Sequence, residues 1–114
     1  MNINQLYLAL RKRILKVSKG RYFVVQRGGI CFLIDILNHI DRRIEAYGGY
    51  EEDLLRQFTD DVKLFEAEYF LDIGANLGIY SLKIASSIPN ISVIAFEPDL
   101  RNYSQLHANI FLNE

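Results

Sequence analysis

The sequence predicts an α/β fold built on a parallel βαβ unit, and three observations predict it. An apolar run from Glu68 to Ile73 passes into glycines at 74 and 78 and then into a helical pattern. A second apolar run, Ile91 to Phe96, follows one helix length later. Another helical pattern begins just beyond it, at Leu100. Strands that alternate with helices in this way form a parallel sheet joined by a right-handed crossover.

The elements read in order as follows. Ile3, Leu6, Tyr7, Leu10, Ile14 and Val17 follow helical spacing. Arg11, Lys12, Arg13 and Lys16 crowd the second half of that helix, where cations suit the dipole. The expected arrangement is a helix packed on its own domain with a solvated basic face. A basic amphipathic helix can also make weak contact with an anionic membrane surface. Arg21 to Gln26 and Ile30 to Asp35 are β-rich runs around Arg27-Gly28-Gly29, which reads as a tight hairpin. Asp41 to Ala46 suits either a strand or a short helix, and Tyr47-Gly48-Gly49-Tyr50 is a turn. A helix starts near Glu51, with Glu52 and Asp53 at its positive end and Leu54, Leu55, Phe58 and Val62 as its apolar face. Strand 68–73, helix 78–87, a turn at Ile88-Pro89-Asn90 and strand 91–96 follow. Pro98 breaks the last strand, and Asp99 is a good N-cap for a helix with Leu100, Tyr103, Leu106 and Ile110 on its buried stripe. The chain thus divides into 1–66, an N-terminal helix, hairpin and pre-motif helix, and 67–114, a first βαβα half of a cofactor-binding domain.

Composition bounds the function. The chain has 114 residues, half of them apolar, and a net charge of −1. The even balance hides a split: the first 34 residues hold seven Lys or Arg and no Asp or Glu. A pI near 6.1 argues against nucleic acid as a partner. No apolar run approaches the roughly 20 residues of a membrane span, and no positive leader precedes an apolar stretch as in a secretory signal. Cys31 is the single cysteine, expected as a small buried hydrophobe in a strand; a reducing, cytoplasmic setting fits. His39 and His107 stand apart from each other and from acidic clusters, so a metal site is not expected.

The densest information lies in Phe70-Leu71-Asp72-Ile73-Gly74-Ala75-Asn76-Leu77-Gly78. A dinucleotide fingerprint needs glycines at relative positions 0, 2 and 5; those positions here hold Gly74, Asn76 and Ile79. A P-loop pattern is absent too. Gly74 and Gly78 can adopt positive φ and admit a ligand to the backbone, and Asn76 tolerates the same geometry. Asp72 sits at a strand's carboxyl end, where ligands of open α/β sheets bind. Glu97 ends the next strand, 19 residues beyond Gly78. Taken singly, each has a plain alternative: a glycine turn, a helix-capping Asp72, a solvated Glu97.

The run Asp72-Ile73-Gly74-Ala75-Asn76-Leu77-Gly78 with Phe96-Glu97-Pro98 resembles motif I and the following acidic strand end of class I S-adenosylmethionine-dependent methyltransferases. More narrowly it resembles the FkbM family. The similarity runs from about Tyr50 to Asn113 and includes Asn109-Ile110-Phe111-Leu112-Asn113. It implies a truncated Rossmann-like class I methyltransferase fold and S-adenosylmethionine as cofactor. It implies cofactor contacts at Asp72, Gly74, Ala75, Asn76, Gly78, Glu97 and Pro98. Tyr50 and Glu51 match a Tyr-Glu pair that lies near the cofactor in relatives, although an ordinary helix start accounts for the same two residues. The implied reaction is O-methyl transfer to a sugar-like or polyketide-like hydroxyl, so the partner is a small-molecule or glycan acceptor. About seven strands are needed for such a sheet, and this sequence supplies two parallel ones. The expectation is therefore an N-terminal fragment of the enzyme, without a nameable catalytic base. A non-catalytic cofactor-binding or interaction module is the alternative, and an NAD-dependent oxidoreductase would require the missing glycine.

Overall fold

A computed structural model describes residues 2–114. It divides into two compact units, one running to Tyr50 and the other spanning Glu51–Glu114.

The first unit is a helix, a hairpin and a second helix. Helix α1 covers Ile3–Lys19 and is closed by a capping box, with the Gln5 amide donating to Asn2 Oδ1 at 2.9 Å and the Asn2 amide to Gln5 Oε1 at 3.2 Å. Strands β1 (Tyr22–Arg27) and β2 (Ile30–Asp35) pair antiparallel from Tyr22↔Asp35 to Arg27↔Ile30. Gly28 (φ 57°) and Gly29 (φ 80°) are the two turn residues, and two successive positive φ angles are what a twisted two-residue hairpin requires. The strand therefore extends to Arg27, one residue beyond the expected boundary. Val25 faces Phe32 across the ladder, and both are buried with Ile30, Ile34 and Ile36.

The ambiguous stretch is helical: α2 spans His39–Tyr47. Its caps lie outside the window that looked ambiguous. Asn38 Oδ1 accepts from the Ile40 amide at 2.9 Å, and Gly48, left-handed, donates to Ile44 O at 2.9 Å. Ile44 then buries against the hairpin's apolar side.

Acidic residues beyond position 34 neutralise part of the basic N-terminal stretch. Arg11 grips the buried Glu45 through Nε and Nη2, both at 2.7 Å. Arg27 donates to the Glu45 carbonyl at 2.6 and 3.2 Å. Arg21 forks onto the buried Asp35 at 3.0 Å twice. The hydrogen bond it donates to Glu45 raises the Arg11 guanidinium above its ordinary value, so it stays charged. Cys31 lies in β2 but is only half-buried, because it points to the opposite side from Phe32 and Ile30.

Three stripe assignments change, in α1 and in the third and fifth helices. No side chain of α1 is buried; Ile3, Leu6, Tyr7, Leu10, Ile14 and Val17 are all exposed. Tyr7 of that stripe meets Tyr47 of α2, with ring centroids 6.2 Å apart, but the expected burial of the stripe on its own domain is not seen.

The second unit begins with α3, Glu52–Leu64. Leu55, Thr59 and Val62 form its buried line, whereas Leu54 and Phe58 stay outside. Strand β3 (Tyr69–Ile73) leads to α4 (Ile79–Ser87), then β4 (Ser92–Phe96) and α5 (Leu100–Phe111). β3 and β4 pair in parallel, with Tyr69↔Ser92 and Ile73↔Phe96 at the ends of the register. The predicted βαβα order is present, within one residue at each boundary. Among the described residues each sheet has two strands. One face of β3–β4, carrying Leu71, Ile73, Ile94 and Phe96, is exposed. Parallel sheets normally have both faces covered, which is why those positions are apolar.

Asp99 caps α5 as expected, accepting from the Arg101 and Asn102 amides at 3.0 Å each. Its buried line is Gln105, Leu106 and Asn109, while Leu100, Tyr103 and Ile110 are exposed. A buried polar anchor sets this rotation: Asn109 Nδ2 donates to Leu77 O at 2.8 Å.

Candidate functional site at the β3–α4 turn

The turn after β3 is built from backbone geometry that few sequences permit. Gly74 (φ 81°), Asn76 (φ 52°) and Gly78 (φ 93°) are left-handed at alternate positions. The parallel register brings Ile73 and Phe96 side by side at the strand ends. The amides of Gly74 and Ala75 then donate to Phe96 O at 2.8 and 2.9 Å. The Asn76 amide follows, donating to Glu97 Oε2 at 2.7 Å. Glu97 Oε1 accepts from the Asp99 amide at 2.9 Å, across the exposed Pro98. One carboxylate thus ties the motif loop to the start of the next loop.

Asp72 is held at the other side of the turn. Its Oδ2 accepts from the Ser81 amide at 3.1 Å and from Ser81 Oγ at 2.6 Å. The capping role is therefore real, and it orients the carboxylate while Oδ1 keeps its lone pairs. Ala75, Leu77 and Ile79 are buried beneath the turn.

The two glycines do different work. A Cβ on Gly74 would meet nothing within 4 Å, so open space lies beside that residue. A Cβ on Gly78 would stand 2.5 Å from Leu106 Cδ1, so the missing side chain there admits α5. Asn76 Oδ1 is buried and has no hydrogen-bond partner among the described residues. A buried orphan of this kind belongs to a site completed by water or a ligand.

The structure brings Asp72, Gly74, Ala75, Asn76, Gly78, Glu97 and Pro98 together around one turn. Glu51 joins them through α4: it is left-handed (φ 55°), and Tyr80 Oη donates to its Oε2 at 2.9 Å. The Tyr80 ring meets Phe58 of α3 edge-on at 5.9 Å. Tyr50 belongs to the first unit, where its ring lies 5.8 Å from the Arg43 guanidinium. Sequence reading missed Ser81, Tyr80 and the role of Asn109. Ser81 sits in the first turn of α4, nine residues after Asp72, and no spacing rule connects them. Asn109 was visible only as part of a resemblance; its partner is a backbone carbonyl that no side-chain pattern reveals.

The loop's chemistry is restrictive. A phosphate cradle needs outward-facing amides and a free helix N-terminus. Here the amides of residues 74, 75 and 76 turn inward to Phe96 and Glu97, and Asp72 puts a carboxylate on the first turn of α4. The turn suits a ligand presenting hydroxyl and ammonium donors.

No known family model matches the chain. The chain is similar to the methyltransferase sdnD of Sordaria araneosa, 33% identical over 72 residues, covering 63% of this chain and 28% of that protein. It is also similar to AMB antimetabolite synthetase AmbE of Pseudomonas aeruginosa, 50% identical over 40 residues, covering 35% of this chain and 2% of that protein. The chain therefore matches less than a third of the length of either curated relative.

Proposed function

We propose that this chain forms the cofactor-holding part of an S-adenosylmethionine-dependent methyltransferase of the FkbM type. The acceptor would be a hydroxyl of a sugar-like or polyketide-like molecule. One observation carries the reading: the turn engages its own amides and leaves acceptor groups for a ligand. A phosphate-bearing cofactor would find the amides of 74, 75 and 76 already engaged, whereas an amino-acid and ribose cofactor would find acceptors. Similarity to a fungal methyltransferase supports the same reading.

The residues present fit the group. Asp72 Oδ1 would accept from the ammonium, Gly74 would admit the ligand to the backbone, and Asn76 Oδ1 would gain the partner it lacks. Each Glu97 oxygen already accepts one amide, and a carboxylate oxygen has a second lone pair for a ribose hydroxyl. The bound cofactor supplies a methyl group on a sulfonium. The chain's part is to fix the donor's position, on which in-line transfer depends.

A second reading has an observation of its own. Glu97 and Asp72 are both engaged inside the fold, so the turn could persist as a non-catalytic module. Calorimetric titration with S-adenosylmethionine and with NAD separates the readings. The first expects binding of the methyl donor alone, weakened about 10- to 100-fold by Glu97→Ala. Unchanged affinity in that variant removes the Glu97 assignment, and no binding at all favours the second reading.

A further inference from the structure

We propose that the exposed side of α1 is a docking surface for an anionic lipid bilayer, on which the helix lies with its apolar stripe inward. Ile3, Leu6, Tyr7, Leu10, Ile14 and Val17 fall within an arc of roughly 100° at 3.6 residues per turn. All six are exposed, and Ile3 and Val17 are 86% and 90% so. The residues partly withdrawn from solvent are instead Leu8, Arg11, Lys12 and Leu15, on a different side. The most apolar side of the helix is thus turned outward, and it lines an apolar groove.

Charge identifies the occupant. α1 contains five basic residues and no acidic one. Arg11 is engaged with Glu45, whereas Lys12, Arg13, Lys16 and Lys19 make no ion pair among the described residues. Lys19 Nζ lies over the Phe23 ring at 5.4 Å. Arg13 borders the stripe and Lys16 lies farther round, so their long side chains can reach the headgroups while the stripe enters the acyl boundary; Lys12 and Lys19 lie on the opposite side and add only longer-range attraction. A cluster of four basic groups on an amphipathic helix is the pattern that anionic headgroups attract.

A second copy of the chain fits less well. A 17-residue helix is about 25 Å long, and a strip roughly 10 Å wide would bury about 250 Å² per partner. A stable interface buries about 800 Å² per partner. Pairing would also bring two basic helices together.

Flotation of the purified chain with vesicles tests the proposal. One set is phosphatidylcholine alone, the other phosphatidylcholine mixed with phosphatidylglycerol, each at low and high salt. Partition onto the anionic vesicles should exceed that onto neutral ones by about 10-fold or more and fall with salt. Leu10→Glu and Ile14→Glu should abolish it with unchanged thermal melting, since both side chains are exposed. Arg13→Glu with Lys16→Glu, both exposed, should lower it selectively on anionic vesicles. Equal partition onto both sets overturns the proposal, as does absence of binding to anionic vesicles. A dimer in sedimentation equilibrium that Ile14→Glu dissociates, without vesicle binding, assigns the surface to a second copy.

Discussion

Gly78→Ala and Gly74→Ala should differ in cost although both glycines belong to the same turn and both are left-handed. A positive φ costs a residue with a Cβ about 1–2 kcal/mol, and this applies to both positions, at φ 81° and 93°. Gly74 has open space around it, so the torsional cost is the whole effect. At Gly78 the new methyl would lie 2.5 Å from Leu106 Cδ1. That atom ends a flexible side chain, yet Leu106 is 2% exposed and has little room to turn away. Overpacking of this kind adds about 1–3 kcal/mol. The totals are about 1–2 kcal/mol at position 74 and about 2–5 at position 78. Urea unfolding of the full chain, followed by circular dichroism, reads both from the midpoint at constant slope. Gly78→Ala combined with Leu106→Ala should be less destabilised than the sum of the single changes, by roughly the overlap of about 1–3 kcal/mol. Equal costs at 74 and 78, or strict additivity with Leu106→Ala, would refute the assignment of Gly78 to helix packing.

Two further expectations concern buried polar anchors. Asn109→Ala removes the donor to Leu77 O and leaves a buried carbonyl unpaired, at a cost of about 2–3 kcal/mol; a thermal melt unchanged from the parent chain would contradict the anchor. Arg11→Met takes one of two arginines from the buried Glu45. With the Arg11 side chain 37% exposed and Arg27 still close, the expected loss is about 1–2 kcal/mol, well below that of a fully buried pair. Chemical denaturation of the variant checks it, and Arg11→Lys should recover only part of the loss because it cannot fork onto the carboxylate.

Much of the second unit was legible because its signals are local. Glycines at 74 and 78, Pro98 and the Asp99 cap each act within a few residues of themselves. Alternating apolar runs set the strands to within one residue. Helix faces were less legible. Leu106 was assigned correctly to the α5 interior, but Leu100, Tyr103 and Ile110 were not. Hydrophobic periodicity weighs side chains alone, and a buried Asn109 held by a carbonyl outweighs several partly exposed apolar residues. The same blindness hid the Arg11–Glu45 pair, whose members stand 34 positions apart.

By itself, the sequence determined the βαβα order, the left-handed turn and the absence of a dinucleotide pattern, because these depend on φ restrictions, caps and short-range periodicity. Tertiary structure alone decided which groups of that turn remain available. Only once the parallel register set Phe96 beside Ile73 could Gly74, Ala75 and Asn76 direct their amides to the neighbouring strand end. Only the packing of α5 distinguished the glycine that admits a leucine from the one that faces open space. Those are long-range contacts, and their geometry is fixed by how the elements dock.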